Sequence, residues 1–312
     1  MGFPKTATTS LQDHVFAGLP GVCNLGKPDP PRSVKKALRH IASDDPAHFD
    51  QKHIDCVRSA VRDARRRSRS IVISHEGMTG SRWIKAGGMR VLRESGFRDL
   101  RTASAERLRE SLVDCEVRVL FTLREQRSWL LSTFADLVLR EGLSMELAEW
   151  IRRGLERPDD FYADPDFERT VSLYQSLWGS DQVHLLAYEQ MVSEPDRFAR
   201  VLADLGGLPP AEVERRVREL PRSKTRAELS NQDNPYNAKR DNPAKRRTAT
   251  HIEIPKTLDA LSEELVVSRC AAGNQAISRR FGIDLERWGY AMGAARGGTR
   301  VDAQATGTPH LG

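Results

Sequence analysis

Residues 2–12, Gly-Phe-Pro-Lys-Thr-Ala-Thr-Thr-Ser-Leu-Gln, put one lysine ahead of a dense run of hydroxyls and lead straight into a helical pattern. Thr9 and Gln12 have the spacing of a capping box, which predicts a helix starting near Ser10. The free backbone N–H groups and positive dipole end of such a helix form an anion site. Lys5 adds a full charge there, and Thr6, Thr8, Thr9 and Ser10 add hydroxyl donors, so a phosphate is the natural guest. A nucleoside-triphosphate loop requires glycine immediately before the lysine, and Pro4 holds that place.

A second group of residues could share the same anion. The apolar run 117–123 ends in Arg124, and Ser132 follows eight residues later, about two turns along the next helical pattern. Ligands of open α/β sheets collect beyond the carboxyl ends of strands. A strand-end arginine and a serine on the following helix can therefore hold one anion from two sides, the guanidinium giving forked donors. Arg127 and Ser128 lie within reach of the same place. Tyr188, after the apolar run 183–187, offers an aromatic face with a polar tip. His75 and Glu76, after the run 70–74, are the candidate proton acceptors. Neighbours on a strand point to opposite faces, so one of the two reaches a substrate. Burial would tune either towards neutral pH.

These side chains need a frame. The runs 70–74, 117–123 and 183–187 are short and rich in Val, Ile and Leu, and helical patterns follow them, which predicts parallel strands joined by crossover helices. Helices are predicted over 32–42, 51–66, 105–113, 127–140, 167–178, 195–205 and 258–280. Gly206-Gly207-Leu208-Pro209-Pro210 is a helix stop. No internal repeat is present. The economical arrangement is a single α/β domain over 1–292, followed by a Gly/Ala/Thr tail, 293–312, that is predicted to be disordered.

Composition narrows the classes of function. The net charge of +6 is concentrated in 222–247, where eight Lys or Arg face three Asp or Glu. The stretch is Pro- and Asn-rich and reads as a mobile basic loop, from which Lys224, Lys239 or Arg240 could close on an anionic ligand. Tyr236 is its one aromatic, so a base-stacking platform is excluded and nucleic acid is not the expected partner. The six arginines from Arg58 to Arg69 read as the cover of an exposed helix face. No apolar run reaches about 18 residues, and no apolar signal segment opens the sequence, which predicts a soluble, cytoplasmic protein. Cys23, Cys56, Cys115 and Cys270 are scattered, without a Cys-x-x-Cys pair or nearby histidines. That scatter argues against a zinc site or a disulfide framework and suits free thiols.

Three segments, in this order, resemble sulfotransferases that use 3′-phosphoadenosine 5′-phosphosulfate (PAPS), and specifically the bacterial carbohydrate type. Pro-Lys-Thr-x-Thr-Thr-Ser-Leu at 4–11 resembles the 5′-phosphosulfate loop, with Ala7 where the family has glycine. Arg124 and Ser132 resemble the 3′-phosphate pair. The segment 183–209, with Tyr188-Glu189, Pro195 and Gly206-Gly207-Leu208, resembles the strand, Tyr-Glu, Pro, helix, Gly-Leu block in which the tyrosine packs by adenine. The resemblance implies a P-loop-like three-layer α/β sandwich with a central parallel sheet. The strand that should lead into Gly2 is missing from the sequence, as if a start upstream of Met1 had been trimmed away. It implies a PAPS-binding set of Pro4, Lys5, Thr6, Ala7, Thr8, Thr9, Ser10, Arg124, Ser132 and Tyr188. The reaction product would be adenosine 3′,5′-bisphosphate, and the acceptor a hydroxyl of a sugar or glycolipid. Lys5 would stabilise the bridging oxygen, and Glu76, ahead of His75, would be the base, with no obligatory metal. Two other classes stay open on the residues alone: a nucleotide kinase or NTPase using the Lys5 loop, and a non-catalytic anion-binding protein.

Overall fold

The structure is a computed structural model. It describes residues 6–26, 30–79, 97–138, 145–156, 165–220 and 255–293, apart from the side chains of 76, 97–99 and 156. Pro4, Lys5, the basic stretch 222–247 and the tail beyond Gly293 lie outside that set.

Four short strands form two parallel pairs. β1 (Val22–Asn24) pairs with β2 (Ser70–Val72), Val22 opposite Ser70 and Asn24 opposite Val72. β3 (Val119–Leu123) pairs with β4 (Val183–Ala187), in register from Val119 opposite Val183 to Leu123 opposite Ala187. Parallel pairing requires crossovers, and helices supply them. α2 (Arg32–Ser43) and α3 (Lys52–Arg65) join β1 to β2. α4 (Phe97–Ser111) leads to β3, and α5 (Gln126–Asp136), α6 (Leu147–Glu156) and α7 (Phe167–Trp178) join β3 to β4. α8 (Tyr188–Ser193), α9 (Pro195–Gly206), α10 (Pro210–Arg218) and the long α11 (Ala260–Phe281) follow. A first helix, α1, precedes all of these: an α turn, Thr8–Ser10, that continues as a π-helical segment, Leu11–Phe16.

The α/β class and the parallel strands agree with the sequence. The single central sheet is not continuous among the described residues, because β2 and β3 do not pair. Val72 of β2 and Val119 and Leu120 of β3 line a cavity of about 530 Å³, together with Ile73, Thr8 and Leu11.

Several boundaries differ for identifiable reasons. The run 70–74 yields only three paired residues, because its partner β1 is a Val-Cys-Asn segment too short to show a period in the sequence. The segment 183–189 leaves the strand at Ala187, and Tyr188 already opens a helix. The Gly-Gly-Leu-Pro-Pro block ends α9, with Gly207 at φ 57°. The same block starts α10, since proline at the first helical position sacrifices no hydrogen bond. α6 and α10 were not anticipated, and α4 begins eight residues earlier than 105–113.

Two apolar cores hold these layers. The larger packs Trp129, Phe134 and Leu130 of α5 with Phe121, Phe167 and Tyr174, and Phe121 meets Tyr174 edge to face at 5.0 Å. The smaller packs Leu11, Val15 and Phe16 of α1 against Leu186, Phe198 and Val213. The second core fixes α1 beside the carboxyl end of β4, so it bears directly on the candidate site. All four cysteines are free thiols, Cys270 buried and the others half-buried. Among the described residues no helix is long and apolar enough to cross a membrane.

Candidate functional site

The hydroxyl run at the start of the described chain is anchored at the carboxyl ends of two strands. Thr6 is buried, and its Oγ1 lies 2.7 Å from Oγ1 of Thr122, the polar residue one short of the end of β3. Gln12, also buried, donates from Nε2 to Oγ of Ser74 at 2.7 Å, just beyond β2. These two hydrogen bonds place residues 6–12 across the ends of both sheets. Between them Ala7 takes φ 63° and ψ 13°, in the left-handed region, and it is the one non-glycine with positive φ among the described residues. An L-residue there costs on the order of 1–2 kcal/mol. The backbone thus keeps the shape that glycine would serve at this position.

The capping box is not formed. The helix begins at Thr8 rather than near Ser10, its N-cap is Ala7, and no side chain caps it. Gln12 is spent on Ser74 instead of reaching back. The helix therefore opens on an alanine, whose side chain makes no cap hydrogen bond.

The second anchor sits at the ends of β3 and β4. The Arg124 guanidinium carbon lies 4.8 Å from the centre of the Tyr188 ring, a cation over an aromatic face. Arg124 Nε donates to Ser128 Oγ at 3.1 Å. Ser132 is half-buried on α5, four residues beyond Ser128 and so on the same face of the helix. Arg127 turns away from this corner. It contacts Glu125 at 2.8 Å, Glu263 at 2.6 Å and the Gly289 carbonyl at 2.6 Å, fastening the last part of the chain to the start of α5.

Glu189, next to Tyr188, was overlooked in the sequence although the Tyr-Glu pair was visible. Its carboxylate accepts the Glu125 N–H at 3.0 Å and the Tyr290 hydroxyl at 3.1 Å. Burial pushes its carboxyl above the usual carboxylate range, against the lowering effect of those donors and of the Arg124 charge. The buried Tyr290 hydroxyl is raised well above its ordinary value by burial and by Glu189 facing it. Thr122 was the other missed residue. Its signal was a lone hydroxyl inside an otherwise apolar strand.

The candidate bases follow β2. His75 is half-buried, and its Nδ1 accepts the Gly77 N–H at 3.2 Å, so in the neutral ring the proton resides on Nε2. Glu76 opens a 3₁₀ turn, Glu76–Thr79, and its side chain lies outside the described set. That turn is fixed from below by the Tyr174 hydroxyl, which donates to the Met78 carbonyl at 2.5 Å. Of the residues expected at the site, Thr6, Ala7, Thr8, Thr9, Ser10, Arg124, Ser132, Tyr188 and His75 are described. The bonds to Thr122 and Ser74 bring the loop to the strand ends, and Arg124 meets Tyr188.

No protein-family profile and no curated protein matches the sequence. A match does exist among solved structures. The fold is similar to that of a sulfotransferase from Alicyclobacillus acidocaldarius, with a TM-score of 0.55 over 92% of this chain and 96% of that one, at 14% identity. The chain thus has a sulfotransferase-like α/β fold, with its loop, strand-end arginine and tyrosine set out along the strand tips.

Proposed function

We propose that this chain is a PAPS-dependent sulfotransferase that moves a sulfuryl group to a hydroxyl of a sugar or glycolipid. The observation that carries this is the left-handed Ala7 turn anchored by Thr6 to Thr122, two residues before an Arg124 that already lies over Tyr188. A helix start without a capping side chain suits the 5′-phosphosulfate, and an arginine beside an aromatic face suits a 3′-phosphate next to adenine. Ser132 and Ser128, on one face of α5, would complete the 3′-phosphate grip. The remaining hydroxyls, Thr8, Thr9 and Ser10, with Pro4 and Lys5, belong to the loop side.

PAPS supplies a sulfuryl group attached to a phosphate leaving group. In this reading Lys5 neutralises the charge that gathers on the bridging oxygen, and Glu76 takes the proton of the acceptor hydroxyl. The His75 hydrogen bond favours Glu76, because the lone pair of the neutral ring is directed at Gly77 N–H. The cation beside the nucleotide is protein-borne, so metal-free binding is expected, unlike a kinase.

Calorimetry with adenosine 3′,5′-bisphosphate in EDTA tests this. Metal-independent binding lost in Lys5→Ala and in Arg124→Ala supports the sulfotransferase. A preference for ATP with Mg²⁺ dependence would instead identify a kinase, and no nucleotide binding at all a non-catalytic protein. Labelled PAPS with a panel of hydroxylated acceptors then identifies the acceptor. Glu76→Gln should bind nucleotide and fail to turn over.

A further inference from the structure

We propose that His40, Asp44 and His53 form a binding site for one divalent transition-metal ion, of the zinc, cobalt and nickel class. The site joins the end of α2 to the first turn of α3, apart from the loop, Arg124 and Tyr188. One ligand atom from each of the three residues lies within 4.8 Å of the others. His40 Nδ1 and Asp44 Oδ2 are 2.8 Å apart, and the His40 and His53 rings stack with centroids 4.1 Å apart and planes 9° from parallel. Around a tetrahedral ion with bonds of about 2.0–2.1 Å the ligand atoms stand about 3.3 Å apart. Closure therefore requires a movement of up to about 1.5 Å, with the His40 ring turning out of its stack on His53. His40 and Asp44, at 29% and 28% side-chain exposure, have room to turn. His53 is buried and provides the fixed wall.

Ligand chemistry selects the ion. Two imidazoles and one carboxylate suit borderline metals, whereas magnesium and calcium demand oxygen shells. Water completes the coordination on the exposed side. The surrounding charge is mixed, with carboxylates and a helix end on one side and Arg107 and Lys52 on the other. Asp44 caps the carboxyl end of α2, whose dipole attracts a cation. Arg107 is a neighbouring fixed cation: it donates to the Asp44 and Ile41 carbonyls at 2.8 and 3.4 Å and stacks on Phe49 at 3.8 Å, and Asp44 is the carboxylate that most favours its charge. Lys52 is taken by Asp50. The scattered cysteines pointed away from zinc, and they play no part. The missed signal was a histidine and an aspartate four apart on one helix with a second histidine thirteen residues on.

The test uses the full chain, prepared without a histidine tag and stripped with EDTA. Titration with Co²⁺ should give the visible d–d bands of a four- or five-coordinate ion at one equivalent, and Zn²⁺ should displace them. Zinc at about a hundredfold excess over its Kd should raise the thermal midpoint by about 5 °C. His40→Gln, Asp44→Asn and His53→Gln should each weaken binding at least about tenfold. His14→Gln, exposed on α1, should leave it unchanged. His40 and Asp44 are half-exposed, so their variants keep the test usable if His53→Gln does not fold. Three results would overturn the site: a cobalt spectrum that stays that of the aquo ion, binding retained in all three variants, or binding lost equally in His14→Gln. The first would leave a stacked imidazole pair whose His40 ring is hydrogen-bonded to Asp44, and nothing more.

Discussion

Replacing Ala7 by glycine should stabilise this protein, the reverse of what the substitution does at an ordinary position. Ala7 sits at φ 63° and ψ 13°. The left-handed conformation costs an L-residue about 1–2 kcal/mol, and glycine removes that cost. Against it stands the added freedom of glycine in the unfolded chain, about 0.4–1 kcal/mol. Glycine is also preferred to alanine at a helix N-cap, the place Ala7 occupies. The balance favours Ala7→Gly by about 0.5–1 kcal/mol, or a rise of about 1–3 °C in Tm. Equilibrium urea unfolding and thermal melting read this directly. Gly207→Ala is the matched control: Gly207 has φ 57°, and a Cβ there would meet nothing closer than Ser70 Oγ at 3.6 Å, so only backbone strain enters. It should lose stability where Ala7→Gly gains it. A loss of about 0.5–1 kcal/mol in Ala7→Gly, as in a regular helix or strand, would refute the left-handed turn and with it the loop geometry.

Thr6→Val and Thr122→Val should each destabilise by about 1 kcal/mol or more, and the double variant by less than their sum, because the two hydroxyls share one buried bond. A double-mutant cycle with a coupling under about 0.3 kcal/mol would show that the loop is not tied to β3. The raised Glu189 pKa fixes the sign of a pH effect. Between the ordinary carboxylate pKa and the higher folded one, the folded chain holds a proton the unfolded chain has released, so stability falls as pH rises across that window. Glu189→Gln should flatten that slope in denaturation measured at several pH values, and an unchanged slope would put the titrating group elsewhere. At the other end of the chain, Asp259 caps α11 through the Ser262 N–H at 2.9 Å, and Asp259→Ala should cost about 1 kcal/mol in urea unfolding.

The strand β4 and the helix α7 were legible to the residue, because both are apolar segments with clear neighbours: Val183–Ala187 between polar turns, and Phe167–Trp178 ended by Gly179. β1 was not, since three residues carry no period and its place is set by pairing with β2 rather than by its own composition. The helix start was misplaced because Gln12 has the right spacing for a capping box but a better partner in Ser74, sixty-two residues away. Such long-range competition leaves no trace in local sequence. The Arg124–Tyr188 contact joins two strand ends that the sequence offered only separately, and their adjacency follows from the parallel pairing of Leu123 with Ala187. The Glu189–Tyr290 contact was out of reach, because residues after 258 carry no motif that points back to β4.

That last contact changes how the end of the chain should be regarded. Arg127 reaches Glu263 and the Gly289 carbonyl, and Tyr290 reaches Glu189, so a featureless stretch is the keystone behind the Arg124–Tyr188 corner. Deleting it would remove no residue assigned to ligand, yet it would strip one donor from a buried carboxylate and release the arginine that braces α5. A shortened chain cut before α11 would therefore lose the scaffolding on which the proposed anion site depends, without losing any residue of that site.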